Sequence, residues 1–259
     1  MDWAYTISGL AVGFLVGLTG VGGGSLMIPL LVYLFGIVPV KAVGTDLLFA
    51  AITKAGGVWV HARRKTIEWR ILGLLTAGSL PASLLTTALL QNFGVNKEEI
   101  NTIITTSLGI ALILTSVALL FKGNIQRLGR QISSTIAPDW TRWRGALTVL
   151  AGLILGTLVT LTSVGAGALG VVMLFFLYPS LPTARIVGTD IAHAVPLTAV
   201  GGLGHLYMGT VDFVLLGSLL LGSLPGIYLG SHLSAKVPEK VMRPVLASML
   251  MLIGVKFVW

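Results

Sequence analysis

Apolar segments long enough to cross a bilayer recur along this chain from end to end, and that feature restricts it to a membrane-embedded helical fold. The runs are Trp3–Phe35, Val43–Val60, Ile71–Leu90, Ile100–Phe121, Gly145–Tyr178, Ile186–Leu206, Phe213–Leu233 and Val241–Trp259. About 20 apolar residues in a helix cross a hydrocarbon core roughly 30 Å thick. Of the 259 residues, 55% are hydrophobic and only 10% charged, against roughly 25% charged in a soluble domain. So little charge cannot coat a water-facing surface, and the runs leave no room for a separate soluble domain. Met1 to Gly9 contains Asp2 and no Lys or Arg, so it lacks the basic n-region of a cleaved signal. The first run is expected to belong to the mature fold.

Two runs differ from the rest. Trp3–Phe35 and Gly145–Tyr178 would each be about 50 Å long as one helix, too long for one comfortable crossing. Both are interrupted, by Gly20, Gly22, Gly23 and Gly24 in the first and by Gly165 and Gly167 in the second. Glycine costs about 1 kcal/mol relative to alanine inside a helix, so each run is expected to be a broken helix or a re-entrant helical hairpin.

The chain also repeats itself. Leu18-Thr19-Gly20-Val21-Gly22-Gly23-Gly24 aligns with Leu161-Thr162-Ser163-Val164-Gly165-Ala166-Gly167, a shift of 143 (161 against 18). Val43-Gly44-Thr45-Asp46 recurs as Val187-Gly188-Thr189-Asp190, a shift of 144 (190 against 46). The same register pairs His61 with His205, Thr66 with Thr210, Glu68 with Asp212, and Gly78-Ser79-Leu80-Pro81 with Gly222-Ser223-Leu224-Pro225. Two apolar sequences resemble each other by composition, but rare residues do not fall into one register that way. The expected organisation is a first transmembrane repeat over 1–121, a basic cytoplasmic connector over 122–144, and a second repeat over 145–259.

Charge orients the repeats. The net charge of +8 sits mostly in short connections, where it reports topology rather than nucleic-acid binding. Arg63, Arg64, Lys65 and Arg70 mark one loop as cytoplasmic, whereas the equivalent His205–Asp212 has no Lys or Arg. Lys97 stands beside Glu98 and Glu99, whereas the equivalent loop carries Lys236, Lys240 and Arg243. Equivalent loops thus favour opposite sides. The expected fold is an all-α polytopic membrane protein of two inverted-topology repeats, each a glycine-broken or re-entrant helix pair followed by three transmembrane helices. In secondary transporters of that plan, discontinuous helices meet near the midplane and form the solute site.

The chemistry-bearing residues fit such a site. The segment Gly22, Gly23, Gly24 and Ser25 lacks the Gly-Lys-Ser/Thr ending of a nucleotide loop. With Gly165, Ala166, Gly167 and Ala168 it is expected to bind an anion through unwound N–H groups and a helix N-terminus; close packing through small residues is the plainer alternative. Lys54, eight residues after Asp46 and well inside its run, snorkels to the interface, faces the cavity as an anion partner or pairs with Asp46, and Thr198 is its counterpart. Asp46 and Asp190 follow Gly-Thr, which reads as an acidic first helical turn capped by Thr45 and Thr189. Intramembrane carboxylates are costly and usually functional, so a proton or cation coupling role is the sharper reading. His193, three residues after Asp190, shares a helix face with it and joins that group. His61 and His205, at the ends of matched runs, read as interface anchors.

The glycine-rich broken first helix, the repeated Val-Gly-Thr-Asp and the Gly-Ser-Leu-Pro in the third span together resemble the TauE/SafE group of sulfite and sulfonate exporters. Both halves take part in the resemblance. It implies export of a small sulfur-containing or organic anion, such as sulfite or sulfoacetate, across a bacterial-type inner membrane.

Other chemistry finds no support. Cysteine is absent, which excludes disulfides and thiolate sites. The four histidines show no metal-ligand spacing and no Walker motif is present, so no cofactor and no enzymatic activity are expected. The partners are a small anion and the lipid bilayer. A passive anion channel and a non-transporting membrane scaffold are the rival readings.

Overall fold

The computed structural model describes residues 3–19, 24–92, 97–135, 137–233 and 239–259. Among these the chain is helical apart from short connections, with no strand. The first half holds α1 (Trp3–Thr19), α2 (Gly24–Phe35), α3 (Pro39–Arg63), α4 (Trp69–Asn92) and α5 (Lys97–Thr135). The second holds α6 (Ala137–Thr162), α7 (Ala168–Leu177), α8 (Thr183–Tyr207), α9 (Phe213–Leu233) and α10 (Glu239–Val258). Six of them (α3, α4, α5, α6, α8 and α9) are long and apolar enough to cross a membrane.

Each over-long apolar run is two helices. In the second half the backbone leaves the helix at Ser163 and resumes it at Ala168. Ser163, Gly165 and Gly167 take φ values of +53°, +113° and +132°, the region where glycine is at home and other residues are strained. The corresponding Gly20–Gly23 lie outside the described residues. Beyond the break the chain turns back beside itself. The Tyr178 hydroxyl, just past α7, lies 2.8 Å from Thr148 Oγ1 in α6. In the first half Phe35, ending α2, packs edge-on against Tyr5 near the start of α1, with ring centroids 4.8 Å apart. Tyr5 and Thr148 are repeat equivalents, as are Phe35 and Tyr178, so one tether closes both hairpins.

The halves interlock. α3 and α8 run antiparallel: Gly44 near the start of α3 abuts His205 and Thr210, while Gly188 near the start of α8 abuts His61 and Thr66. α5 and α10 are antiparallel too, with Gly109 beside Gly254 and Ser116 Oγ donating to the Ala247 carbonyl at 2.6 Å. By contrast, the third span of each half lies parallel to the first helix of the other. Gly152 and Gly156 of α6 sit on Leu75 and Ser79 of α4, and Gly9 and Gly13 of α1 sit on Leu219 and Ser223 of α9. Lipid supplies no hydrophobic drive between helices, so backbone contact through small residues carries the association.

Helix extends beyond the apolar runs, and two expectations change. α5 continues past Phe121 through Lys122 to Thr135, and α6 begins at Ala137, so most of residues 122–144 are helical. α3 and α8 start at Pro39 and Thr183, earlier than the apolar patterns do. Pro39 suits a first helical position because its missing N–H has no partner there anyway. Asp46 and Asp190 therefore lie two turns into their helices, not in the first turn. Finally, His205 is 0% exposed, so it is no interface anchor.

A side chain at Gly78 would place its Cβ 2.0 Å from the Val149 carbonyl oxygen, whereas nothing lies within 4 Å at Gly73. Gly78→Val should destabilise the protein by about 1–3 kcal/mol, the usual cost of overpacking. Gly73→Val should leave its thermal unfolding in detergent nearly unchanged.

Candidate substrate and ion site

The non-helical segment of the second half lies against the first half through two contacts, one buried and one part-buried. Ser163 Oγ donates to Asp46 Oδ2 at 2.7 Å, and Lys54 Nζ donates to the Ala166 carbonyl at 2.6 Å. Both partners come from α3, on which Asp46 and Lys54 lie about two turns apart. Helix unwinding frees the Ala166 carbonyl from the intrahelical ladder, and the lysine takes it up. Non-helical backbone at membrane depth is tolerated only in such protein-lined surroundings.

Ser163 occupies the position that is Gly20 in the first half. A left-handed conformation costs a non-glycine residue roughly 1–2 kcal/mol, and the serine adopts it with its hydroxyl on a fully buried carboxylate. That hydrogen bond, to a charged group, contributes about 1.5–3 kcal/mol and offsets the strain.

Asp190 is set differently. It is 1% exposed, and its carboxylate rests on the backbone of Gly170 in α7, where an added Cβ would fall 1.9 Å from Oδ1. Among the described residues neither of its oxygens has a hydrogen-bond partner, nor does Asp46 Oδ1. The Lys54 ammonium interacts electrostatically with both carboxylates. His193, one turn from Asp190 and 1% exposed, has Nε2 2.8 Å from Ser79 Oγ in α4. Its Nδ1 is also unpartnered among the described residues. Two acids, one lysine and one imidazole thus meet beside the break.

The two Val-Gly-Thr-Asp motifs do a second job. Thr45 Oγ1 accepts the backbone N–H of Asp212 at 3.0 Å, and Thr189 Oγ1 accepts that of Glu68 at 2.9 Å. The threonines therefore cap the loop preceding the third span of the opposite half, not their own helices. His61 Nδ1 lies 2.8 Å from Thr66 Oγ1 and His205 Nδ1 3.0 Å from Thr210 Oγ1, which completes two equivalent corners. At one of them Arg185 pairs with Glu68.

Of the residues singled out in the sequence, the structure brings Asp46, Lys54, Asp190, His193, Gly165, Ala166, Gly167 and Ala168 into one region. Gly167 precedes and Ala168 opens α7, where first-turn N–H groups point out along the axis. Gly22 and Gly23 lie outside the described residues, Gly24 opens α2, and Ser25 is buried at 5% exposure. Thr198 turns inward on its own helix, its hydroxyl donating to the Ala194 carbonyl at 2.8 Å. The roles of Ser163, Ser79 and Gly170 escape sequence reasoning. Ser163 leaves a trace there as the serine standing where the repeat has glycine, and Ser79 as a member of the repeated Gly-Ser-Leu-Pro.

Hairpins of broken helices packed against a buried, charge-bearing core of helices long and apolar enough to cross a membrane mark a polytopic membrane protein. Comparison with known proteins places it further. A model of the sulfite exporter TauE/SafE family matches residues 5–257, and the chain belongs to that family. Probable membrane transporter protein YjnA of Bacillus subtilis is 38% identical over 258 residues, covering 100% of both chains. YdhB of the same organism, also a probable membrane transporter protein, is 28% identical over 247 residues, 93% of this chain and 96% of its own. A probable membrane transporter protein of Methanocaldococcus jannaschii is 28% identical over 266 residues, 96% and 92% of the two chains. No solved structure matches the chain. This is a multi-pass protein of the cell membrane that works in transport.

Ser163→Ala keeps the strained backbone and strands the Asp46 carboxylate, whereas Ser163→Gly strands the carboxylate but releases the strain. Both should lower thermal stability in detergent, Ala by about 1–3 kcal/mol and Gly by less.

Proposed function

We propose that this protein is a secondary transporter that exports a small sulfur-containing or organic anion, sulfite or a sulfonate such as sulfoacetate, by alternating access. The observation that carries the proposal is the helix break at Ser163–Gly167 held against Asp46 and Lys54. Unwound backbone and a part-buried lysine are what a desolvated oxyanion needs. The family name supports sulfite as the first anion to try.

The two halves are read as inverted-topology repeats. Supporting this are the antiparallel packing of α3 on α8 and of α5 on α10, the paired hairpin tethers, and the opposite charge of equivalent loops. Solute binds between the breaks, at Gly22–Ser25 and Gly165–Ala168, with Lys54 as its counter-charge and Thr198 as a hydroxyl donor once its helix bond is released.

Asp46, Asp190 and His193 form the coupling site. With both acids ionised the cluster holds two negative charges against one lysine and repels an anion. Uptake of one proton or cation removes the excess, so anion and coupling ion favour each other's binding; a coupling of this kind is reciprocal. Asp46 already receives the Ser163 hydroxyl, which leaves Asp190 as the acceptor.

In proteoliposomes the protein should accumulate sulfite against its own gradient when a pH or cation gradient is imposed. Equilibration without accumulation would make it a channel, and no flux of sulfite, thiosulfate, sulfoacetate or simple carboxylates would remove the transport reading. Gly167→Leu, at a φ of +132° that strains any side-chain-bearing residue, should abolish flux while folded protein remains in the membrane. Asp190→Asn should uncouple flux from the gradient while leaving counterflow exchange intact.

A further inference from the structure

We infer that the solute site is shut toward the 208–212 loop by a gate of Ser83, Thr160, Gly201 and His205, and stands open toward the 64–68 loop. The inference rests on the alternating-access reading proposed above. It adds which passage is closed, which residues close it, and what the opposite state requires.

The internal repeat supplies the comparison. At the centre the halves are alike: Asp46 and Asp190, Ala50 and Ala194, and Ser79 and Ser223 are equivalent pairs, none more than 3% exposed. Away from the centre they part. The buried positions of α3 stop at Ala51, whereas those of α8 continue through Leu197, Thr198 and Gly201 to His205. The α3 equivalents of those four, Thr53, Lys54, Gly57 and His61, are all part-buried. The facing helices follow suit. Ser83 of α4 and Thr160 of α6 are 0% exposed, and their equivalents, Ile227 of α9 and Gly17 of α1, are part-buried.

The contacts agree with the burial. On the closed side α8 lies against both α4 and α6. His205 Nε2 donates to the Thr160 carbonyl at 3.0 Å, and Thr160 Oγ1 donates to Ser83 Oγ at 2.7 Å. Gly201 lies opposite both hydroxyls, and Gly204 opposite Thr87. On the open side, a side chain at Gly57 would meet only Ile191 of α8 within 4 Å among the described residues. Gly201 repeats that contact with Leu47 of α3, so the α3–α8 seam is symmetric. The asymmetry lies in how the flanking helices approach it. No bond from His61 to Gly17 matches the one from His205 to Thr160.

Glycines seat α6 on α4 and α1 on α9, and pairs so closely packed shift as bodies past a fixed seam. In the opposite state α1 and α9 close over Gly57 and His61 while α4 and α6 withdraw from Gly201 and His205. The two closures differ chemically. One is hydrogen-bonded, whereas Ile227 and Gly17 offer no hydroxyl, so the empty protein is biased to the state of the structure. The open passage leads to the loop of Arg64 and Lys65, cytoplasmic by its charge. An exporter at rest is thereby open to the side from which it loads.

Interhelical hydroxyls also serve as plain structural glue, as Ser116 does between α5 and α10. The test separates the two roles and uses the absence of cysteine. Gly57→Cys and Gly201→Cys, made separately, are labelled with a membrane-impermeant thiol reagent in inside-out and right-side-out vesicles. Gly57→Cys should react from the 64–68 side about tenfold or more faster than Gly201→Cys from the 208–212 side, a bias of about 1.4 kcal/mol. Adding Ser83→Ala with Thr160→Val should speed Gly201→Cys and slow Gly57→Cys. Ser83→Ala alone should act in the same direction, which covers poor folding of the double variant. Ser116→Ala should lower thermal stability and leave both rates unchanged. Equal rates at the two cysteines, rates unmoved by loss of the gate hydroxyls, or an equal shift from Ser116→Ala would overturn the gate. Sulfite flux is measured on the cysteine-free protein. The expected labelling without flux would remove the substrate reading and keep the gate, whereas flux with equal labelling would keep transport and remove the gate.

Discussion

Everything in this fold depends on each half finishing the other. The loop after α3 is capped by Thr189 and the loop after α8 by Thr45. The glycines beside those threonines let the opposing corner approach to backbone contact. In lipid, an uncapped N–H costs several kcal/mol because no water is there to take it. A pair of threonines on crossing helices thus satisfies two loops that could not otherwise be held against the membrane core.

That clasp positions the charged centre. With α3 and α8 locked antiparallel, the aspartates following the capping threonines meet different surroundings. Ser163 gives Asp46 a donor, whereas Asp190 faces the backbone of Gly170 in α7. A scaffold of near-identical halves thereby produces two unequal acids. One oxygen of Asp46 is satisfied by a hydroxyl, whereas neither oxygen of Asp190 has a hydrogen-bond partner among the described residues.

The repeat, the hairpin breaks, the membrane class and the family are legible in the sequence, because rare residues in register and glycine clusters in apolar runs do not arise from composition alone. Helix starts are less legible. Asp46 reads as a first-turn residue because Pro39 and Val40 precede the apolar pattern, and a proline at the first helical position leaves no periodic signal. His205 reads as an anchor because a histidine ending an apolar run commonly is one; its burial depends on Thr160, 45 residues away, a contact no local pattern encodes. Ser79 shows in the sequence only as part of the repeated Gly-Ser-Leu-Pro; its meeting with His193, 114 residues away, is likewise a contact no local pattern encodes.

The parallel seam between α1 and α9 bears on how the chain is made. Gly9 and Gly13 meet Leu219 and Ser223, partners that emerge about 210 residues later. At ~5–20 residues per second the first hairpin sits in the bilayer for about 10–40 s with its glycine face uncovered. During that interval lipid tails, or a membrane insertase, must occupy the groove that α9 will fill. The α1–α9 seam of the earliest helix thus closes only once the ninth helix has been made.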